Sequence, residues 1–122
     1  MLKRLKNYFK SKQTENTNVK IQDISPTNAA KLEKEGAFFV DVRERSEVEQ
    51  LAYDVKNILH IPLSKMGKRY KEIPSEKSLI IACQSGNRSL KAARFLQNQG
   101  FQNLSNLKGG MLKWSSMGWP IK

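Results

Sequence analysis

A single cysteine and a single histidine stand among 122 residues, and acidic residues are outnumbered two to one, 11 against 22. One cysteine excludes an internal disulfide and fits a reducing compartment. The longest apolar run, 79–83, is five residues, far short of the roughly 20 needed to span a bilayer. The opening stretch MLKRLKNYFK has no apolar core of the kind a secretory signal needs. No internal repeat is visible. These absences lead to the expectation of a soluble, cytoplasmic protein with one domain or one domain and a tail. What is present is ordinary for such a protein: 39% hydrophobic and 27% charged residues.

The net charge of +11 is unevenly spread. Residues 1–20 hold Lys3, Arg4, Lys6, Lys10, Lys12 and Lys20 against Glu15 alone. Within them Leu2, Leu5, Tyr8 and Phe9 share one face of a potential helix, and SKQTENTN (11–18) reads as a polar linker. The segment is thus a basic tail or a short amphipathic helix with a linker, and residues 21–122 form the domain. A basic balance favours anionic partners of any kind, including nucleic acid or an acidic membrane surface, without choosing among them.

From Ile21 onward strands and helices alternate. Ser25-Pro26 supplies an N-cap and a first helical residue, and Gly36 stops that helix. Residues 37–42 read as a strand, 43–53 as a charged helix, 58–61 as a short strand closed by Pro62, and 78–82 as a strand after Pro74. A helix is expected over 88–99, with Leu90, Ala93, Phe95 and Leu96 inward and Gly100 at its end. A strand over 103–107 leads to Gly109-Gly110 and a last helix around Met111, Leu112 and Trp114. Apolar strands without alternation, separated by helices, are the signature of an α/β fold with a parallel sheet covered on both faces.

The lone cysteine opens CQSGNRS (83–89), where the most apolar strand gives way to a helix. Ligands of open α/β sheets collect at such carboxyl ends. Residues 84–88 can curl so that successive backbone N–H groups converge, with Gly86 permitting a positive φ. The helix N-terminus and Arg88 add positive potential. A thiolate there is favoured over its thiol, so the stretch combines an activated nucleophile with an anion cradle. The competing reading is a small buried apolar side chain; the polar residues, glycine and arginine that follow Cys83 argue against it. Cys83 to Arg88 is one residue shorter than the loop with which cysteine-dependent phosphatases wrap phosphate, and Ala82 stands where their histidine would be. A phosphatase is therefore disfavoured as the alternative enzyme.

Several spaced motifs resemble the rhodanese-like sulfurtransferases. FFVDVRERSEVE (38–49) is similar to the family's strand with Asp-Val-Arg and its glutamate-rich helix. NILHIPLS (57–64) is similar to its short strand ending in Ile-Pro. Residues 78–114 resemble its catalytic strand, loop and helix, the Gly-Phe turn, the next strand and the Gly-Gly helix with its tryptophan. Gly118 and Pro120 fit the usual end. The resemblance covers about residues 21–121.

It implies a five-stranded parallel sheet with helices on both faces. It also implies sulfur transfer through a Cys83 persulfide, from a small anionic donor such as thiosulfate or a persulfide to cyanide, a thiol or a protein acceptor. Backbone amides of Gln84, Ser85, Gly86, Asn87 and Arg88 would hold the persulfide, and Arg88 would steer the donor. No metal or organic cofactor is required. Two departures stand out: Gln84 replaces a second cation common in the family, and Tyr53-Asp54-Val55 replaces its usual Gly-His-Ile.

Asp41 and Arg43 read as structural support, paired with neighbours such as Glu47 or bracing the loop with Ser89. His60, inside a short apolar strand without partners at metal spacing, reads as structural. Trp114 and Trp119 either pack the last helix or, with Met111 and Met117, rim the pocket. A single cysteine also excludes chemistry that needs a resolving thiol. A persulfide must pass to a small thiol or to a partner, which leaves a partner-dedicated relay module as the alternative to an enzyme of small molecules.

Overall fold

The computed structural model describes residues 20–122; the basic segment with Leu2, Leu5, Tyr8 and Phe9 lies outside the described residues. Five strands, β1 (Gln22–Ile24), β2 (Phe38–Asp41), β3 (Ile58–His60), β4 (Leu79–Ala82) and β5 (Leu104–Leu107), form one sheet in the order β1-β5-β4-β2-β3. Every pairing between them is parallel. Five helices connect and follow them: α1 (Pro26–Lys34), α2 (Arg45–Gln50), α3 (Met66–Arg69), α4 (Asn87–Asn98) and α5 (Gly110–Ser116).

Position in the sheet follows composition. β4, LIIA, is buried along its whole length and sits at the centre, where both faces are covered. The short edge strands β1 and β3 hold no fully buried residue. One layer packs Val40, Val42, Ile81 and Cys83 against Ala92, Ala93 and Leu96 of α4. The other packs Phe39, Ile80, Ala82 and Leu107 against Ala29 and Ala30 of α1 and Met111 and Trp114 of α5.

The local signals explain the boundaries. Ser25 Oγ accepts from Asn28 N at 3.1 Å, and Pro26 follows it at the first turn of α1. β2 to β5 begin and end within one residue of their sequence expectations, α4 starts one residue early, and β1, three residues long, was not read from the sequence. Two differences are larger. The helix expected over 43–53 is only Arg45–Gln50, because Leu51 turns extended and Tyr53 pairs with Ile121 in an isolated antiparallel bridge. The stretch 63–72, left unassigned by the sequence pattern, is a run of short turns, with 3₁₀ segments Leu63–Lys65 and Tyr70–Glu72 on either side of α3.

Candidate active site

β4 is the central strand, and its carboxyl end delivers Cys83 to the point where the chain must reverse into α4. Cys83 is fully buried, not partly exposed as the polar residues after it suggested. Gly86 makes the reversal with φ 106, a conformation that strains any residue with a Cβ. α4 then begins with no side-chain cap of the usual oxygen type. The sulfur takes that place: Cys83 Sγ accepts from Gly86 N at 3.1 Å and from Ser89 N at 3.3 Å. Orphan amides at a helix N-terminus need an acceptor, and a negatively charged one suits the helix dipole.

Burial, the largest single influence, pushes the Cys83 thiol up. The amides of Ser89, Gly86 and Ser85 pull the other way, as does the Ser89 hydroxyl whenever it turns its proton to the sulfur, and the net displacement is then downward. The thiolate is therefore favoured by hydrogen bonding to the charged form.

The loop is held from three sides. Tyr53 Oη donates to the Cys83 carbonyl at 2.6 Å, and Met111 N donates to the same oxygen at 2.9 Å. Leu112 N donates to the Gln84 carbonyl at 3.1 Å, so the first turn of α5 is spent on the loop. Gly110 makes that approach possible. A Cβ there would lie 2.6 Å from Cys83 O and from the carbonyl group of Gln84. Burial, followed by Asp41, pushes the Tyr53 phenol above its ordinary range, so it stays a donor.

Behind the loop lies a buried ion pair. Arg43 Nη2 reaches Asp41 Oδ2 at 2.8 Å and Arg43 Nε reaches Asp41 Oδ1 at 3.1 Å, with both side chains sealed from solvent. The guanidinium lies over the Tyr53 ring, 5.2 Å from its centroid. His60 Nε2 is bonded to the Arg43 carbonyl at 2.7 Å, which gives this histidine a structural place. Asp41 and Arg43 thus pair with each other, and Glu47 turns elsewhere. Arg88 Nη1 and Nη2 meet Glu47 Oε1 and Oε2, each at 2.7 Å.

Of the residues singled out in sequence, Cys83, Gly86 and Ser89 line the sulfur cradle. Gln84 borders a cleft of about 360 Å³ with Arg43, Glu47, Gln50 and Leu51. Ser85 and Asn87 are exposed at the turn. Trp114 and Met111 do not rim a pocket: both are buried, and Trp114 meets Phe39 and Tyr53 edge-on. The large apolar side chains exposed at this end are Leu112, Met117 and Ile121.

Sequence reasoning missed Asn106 and Asp23. Asn106 Oδ1 accepts from Ser89 Oγ at 2.5 Å, and Asn106 Nδ2 donates to Asp23 Oδ1 at 3.1 Å. The available signal was an asparagine inside the otherwise buried strand LSNL.

Comparison with known proteins agrees with this architecture. The sequence profile of the Rhodanese-like domain family matches residues 25–117. A sulfurtransferase of Allochromatium vinosum is 34% identical over 87 residues, covering 71% of this chain and 79% of the relative. The thiosulfate sulfurtransferase GlpE of Actinobacillus pleuropneumoniae serotype 5b is 33% identical over 102 residues, covering 82% of this chain and 92% of the relative. Among solved structures, a rhodanese-related protein from Thermoplasma volcanium superposes with a TM-score of 0.75 at 28% identity, covering 83% of this chain and 97% of that one.

Proposed function

We propose that the chain, which belongs to the rhodanese-like domain family, is a sulfurtransferase that carries a sulfane sulfur on Cys83 as a persulfide. The observation that carries this reading is the pair of amides, Gly86 N and Ser89 N, directed at Cys83 Sγ from the start of α4. They stabilise negative charge at a sulfur atom before any substrate arrives, which is electrostatic preorganisation of a nucleophile.

In the first half-reaction the Cys83 thiolate attacks the outer sulfur of a donor R–S–S⁻. The donor S–S bond breaks, R–S⁻ leaves with the electron pair, and Cys83–S–S⁻ remains. With thiosulfate the leaving group is sulfite. In the second half-reaction an acceptor thiolate or cyanide attacks the outer sulfur, and Cys83 departs as thiolate. No electrons are gained or lost overall, and the proton of the resting thiol goes to water or to the departing thiolate. The loop amides of residues 84–88 hold the outer sulfur between the two steps. Tyr53, Met111 and Leu112 keep the loop carbonyls turned away, so that amides rather than carbonyl oxygens face the charge.

A protein acceptor is the second reading, and one observation favours it. Leu112 is 58% exposed and its amide is bonded to the Gln84 carbonyl, so an apolar contact stands on the rim of the loop. Such a position suits a partner surface that presents its own thiol.

The test is intact-mass spectrometry after brief exposure to thiosulfate or to glutathione persulfide, followed by cyanide, with Cys83→Ser alongside. One added sulfur on the wild type alone, released as thiocyanate, is the expected result. No adduct from either donor would remove the small-molecule reading and leave a partner-dedicated relay to be tested with thiol proteins.

A further inference from the structure

A chain of four side chains links four elements, starting at the nucleophile: Cys83 at the end of β4, Ser89 on α4, Asn106 on β5 and Asp23 on β1. The distances are 3.3 Å from Cys83 Sγ to Ser89 Oγ, 2.5 Å from Ser89 Oγ to Asn106 Oδ1 and 3.1 Å from Asn106 Nδ2 to Asp23 Oδ1. The parallel register sets the last link directly, because Asp23 and Asn106 are paired residues of β1 and β5. Cys83, Ser89 and Asn106 are buried; Asp23 is exposed.

Each link has only one consistent proton assignment. A carboxylate accepts and does not donate, so Asp23 fixes the Asn106 amide with its NH₂ toward β1. The Asn106 carbonyl oxygen is then the atom facing Ser89. It can only accept, so the single hydroxyl proton of Ser89 is committed to it, in the short 2.5 Å bond. What Ser89 turns toward Cys83 is therefore a lone pair. A lone pair welcomes S–H and repels S⁻.

We propose that Asp23 and Asn106 are positioning residues that hold the Ser89 hydroxyl as an acceptor toward Cys83 and so restrain ionisation of the resting thiol. The two backbone amides pull toward the thiolate, and the relay pulls back. Loss of the thiol proton to water requires the Ser89 hydroxyl either to remain facing Asn106, or to turn to the sulfur and leave a buried Asn106 oxygen without its donor. The second choice carries the cost of an unsatisfied buried acceptor. A nucleophile restrained in this way is less open to oxidation or adventitious alkylation between turnovers.

The charged groups around Cys83 come from several elements. Arg88 lies on α4 with Glu47 of α2 across from it, the Asp41–Arg43 pair stands at the end of β2, and the Tyr53 hydroxyl sits on the Cys83 carbonyl. None of these groups is bonded to Asp23 or Asn106. The loss of Asp23's own negative charge also favours the thiolate, and the Ser89→Ala background separates that effect from the Ser89 proton.

The sign of the expected effect is opposite to that of a generic polar deletion. In Asn106→Leu the Ser89 hydroxyl loses its acceptor and turns its proton to the sulfur. The Cys83 titration midpoint, read from ultraviolet thiolate absorbance and from the pH dependence of iodoacetamide alkylation, should fall by about one unit, or roughly tenfold more thiolate below the midpoint. Asp23→Ala should move it the same way by a smaller step, since the Asn106 amide is then free to reverse. This surface substitution decides the matter even if Asn106→Leu folds poorly. In a Ser89→Ala background Asn106→Leu should move the midpoint no further, and Asp23→Ala only by its lost charge. A midpoint that stays or rises in Asp23→Ala, or a shift that survives undiminished in Ser89→Ala, overturns the proposal. The titration uses no sulfur donor or acceptor, so its outcome is independent of the sulfur-transfer reading.

Discussion

Arg88 and Glu47 form a two-pronged ion pair, both N–O distances 2.7 Å, with each side chain about one-third exposed at 34% and 33%. The arginine that closes the sulfur loop therefore has its charge already balanced, and a donor that it is proposed to steer would face a neutralised pair. In thiosulfate the donor is a dianion, and a neutralised pair attracts it weakly; an organic persulfide depends less on that attraction. Glu47→Gln should raise kcat/KM for thiosulfate relative to glutathione persulfide, by roughly tenfold if about 1.4 kcal/mol of attraction is released. Paired steady-state assays with the two donors check it. An unchanged ratio would mean that Arg88 does not meet the donor.

The same pair gives the fold an acid-sensitive element. The Arg88 guanidinium, helped by the Glu44 backbone, holds the Glu47 carboxyl at about 2 against an ordinary value of 4.5. Because the folded-state value is depressed, the pair contributes fully above the unfolded value, and its contribution drains away as pH falls from about 4.5 toward about 2. Urea midpoints measured across that window should converge for wild type and Glu47→Gln as acid is added. At neutral pH the two should differ by no more than about 1 kcal/mol, because the pair is partly solvated.

Tyr53→Phe removes one hydrogen bond and little else. Its ring packing against Phe39 and Trp114 survives, while the Cys83 carbonyl retains only Met111 N. The expected loss of stability is about 1 kcal/mol. The larger expected effect is on the rate of persulfide formation, since a loop carbonyl freed at Cys83 loosens the amides beside it. Stopped-flow loading with glutathione persulfide would separate the two.

Gly110→Ala should be the most damaging single methyl in the protein. The residue has φ 55, and the added carbon would sit 2.6 Å from loop backbone atoms that cannot swing aside. Strain and overpacking together should exceed about 2 kcal/mol, and the Cys83 loop should be displaced along with α5. Thermal unfolding together with the rate of Cys83 alkylation tests both parts. A variant with wild-type values for both would show that the two backbones are not in firm contact.

Much of this fold is legible in the sequence because its strong signals are local. LIIA announces a strand buried on both faces, Ser25-Pro26 announces a helix start, and Cys83 followed by Gly86 and Arg88 announces a cradle. Tyr53 was harder to read. Its role depends on a carbonyl 30 positions away and on an isolated bridge to Ile121, neither of which leaves a periodic trace. Asn106 and Asp23 were missed for the same reason: their meaning lies in a pairing between the outer strand β1 and β5. Helix α2 ended early because Leu51 turns to bring Tyr53 inward, a tertiary demand that outweighs the helix propensity of a charged segment.

The pairing of β1 with β5 also has a temporal side. Asp23 and Asn106 are 83 positions apart, and their hydrogen bond joins the earliest and the latest of the described strands. During synthesis Cys83, and the amides that cap it, emerge before the strand that carries Asn106. A nascent chain can therefore hold a nucleophilic sulfur whose restraint arrives only when the last strand docks. Closure of the sheet is, for this thiol, the moment of maturation.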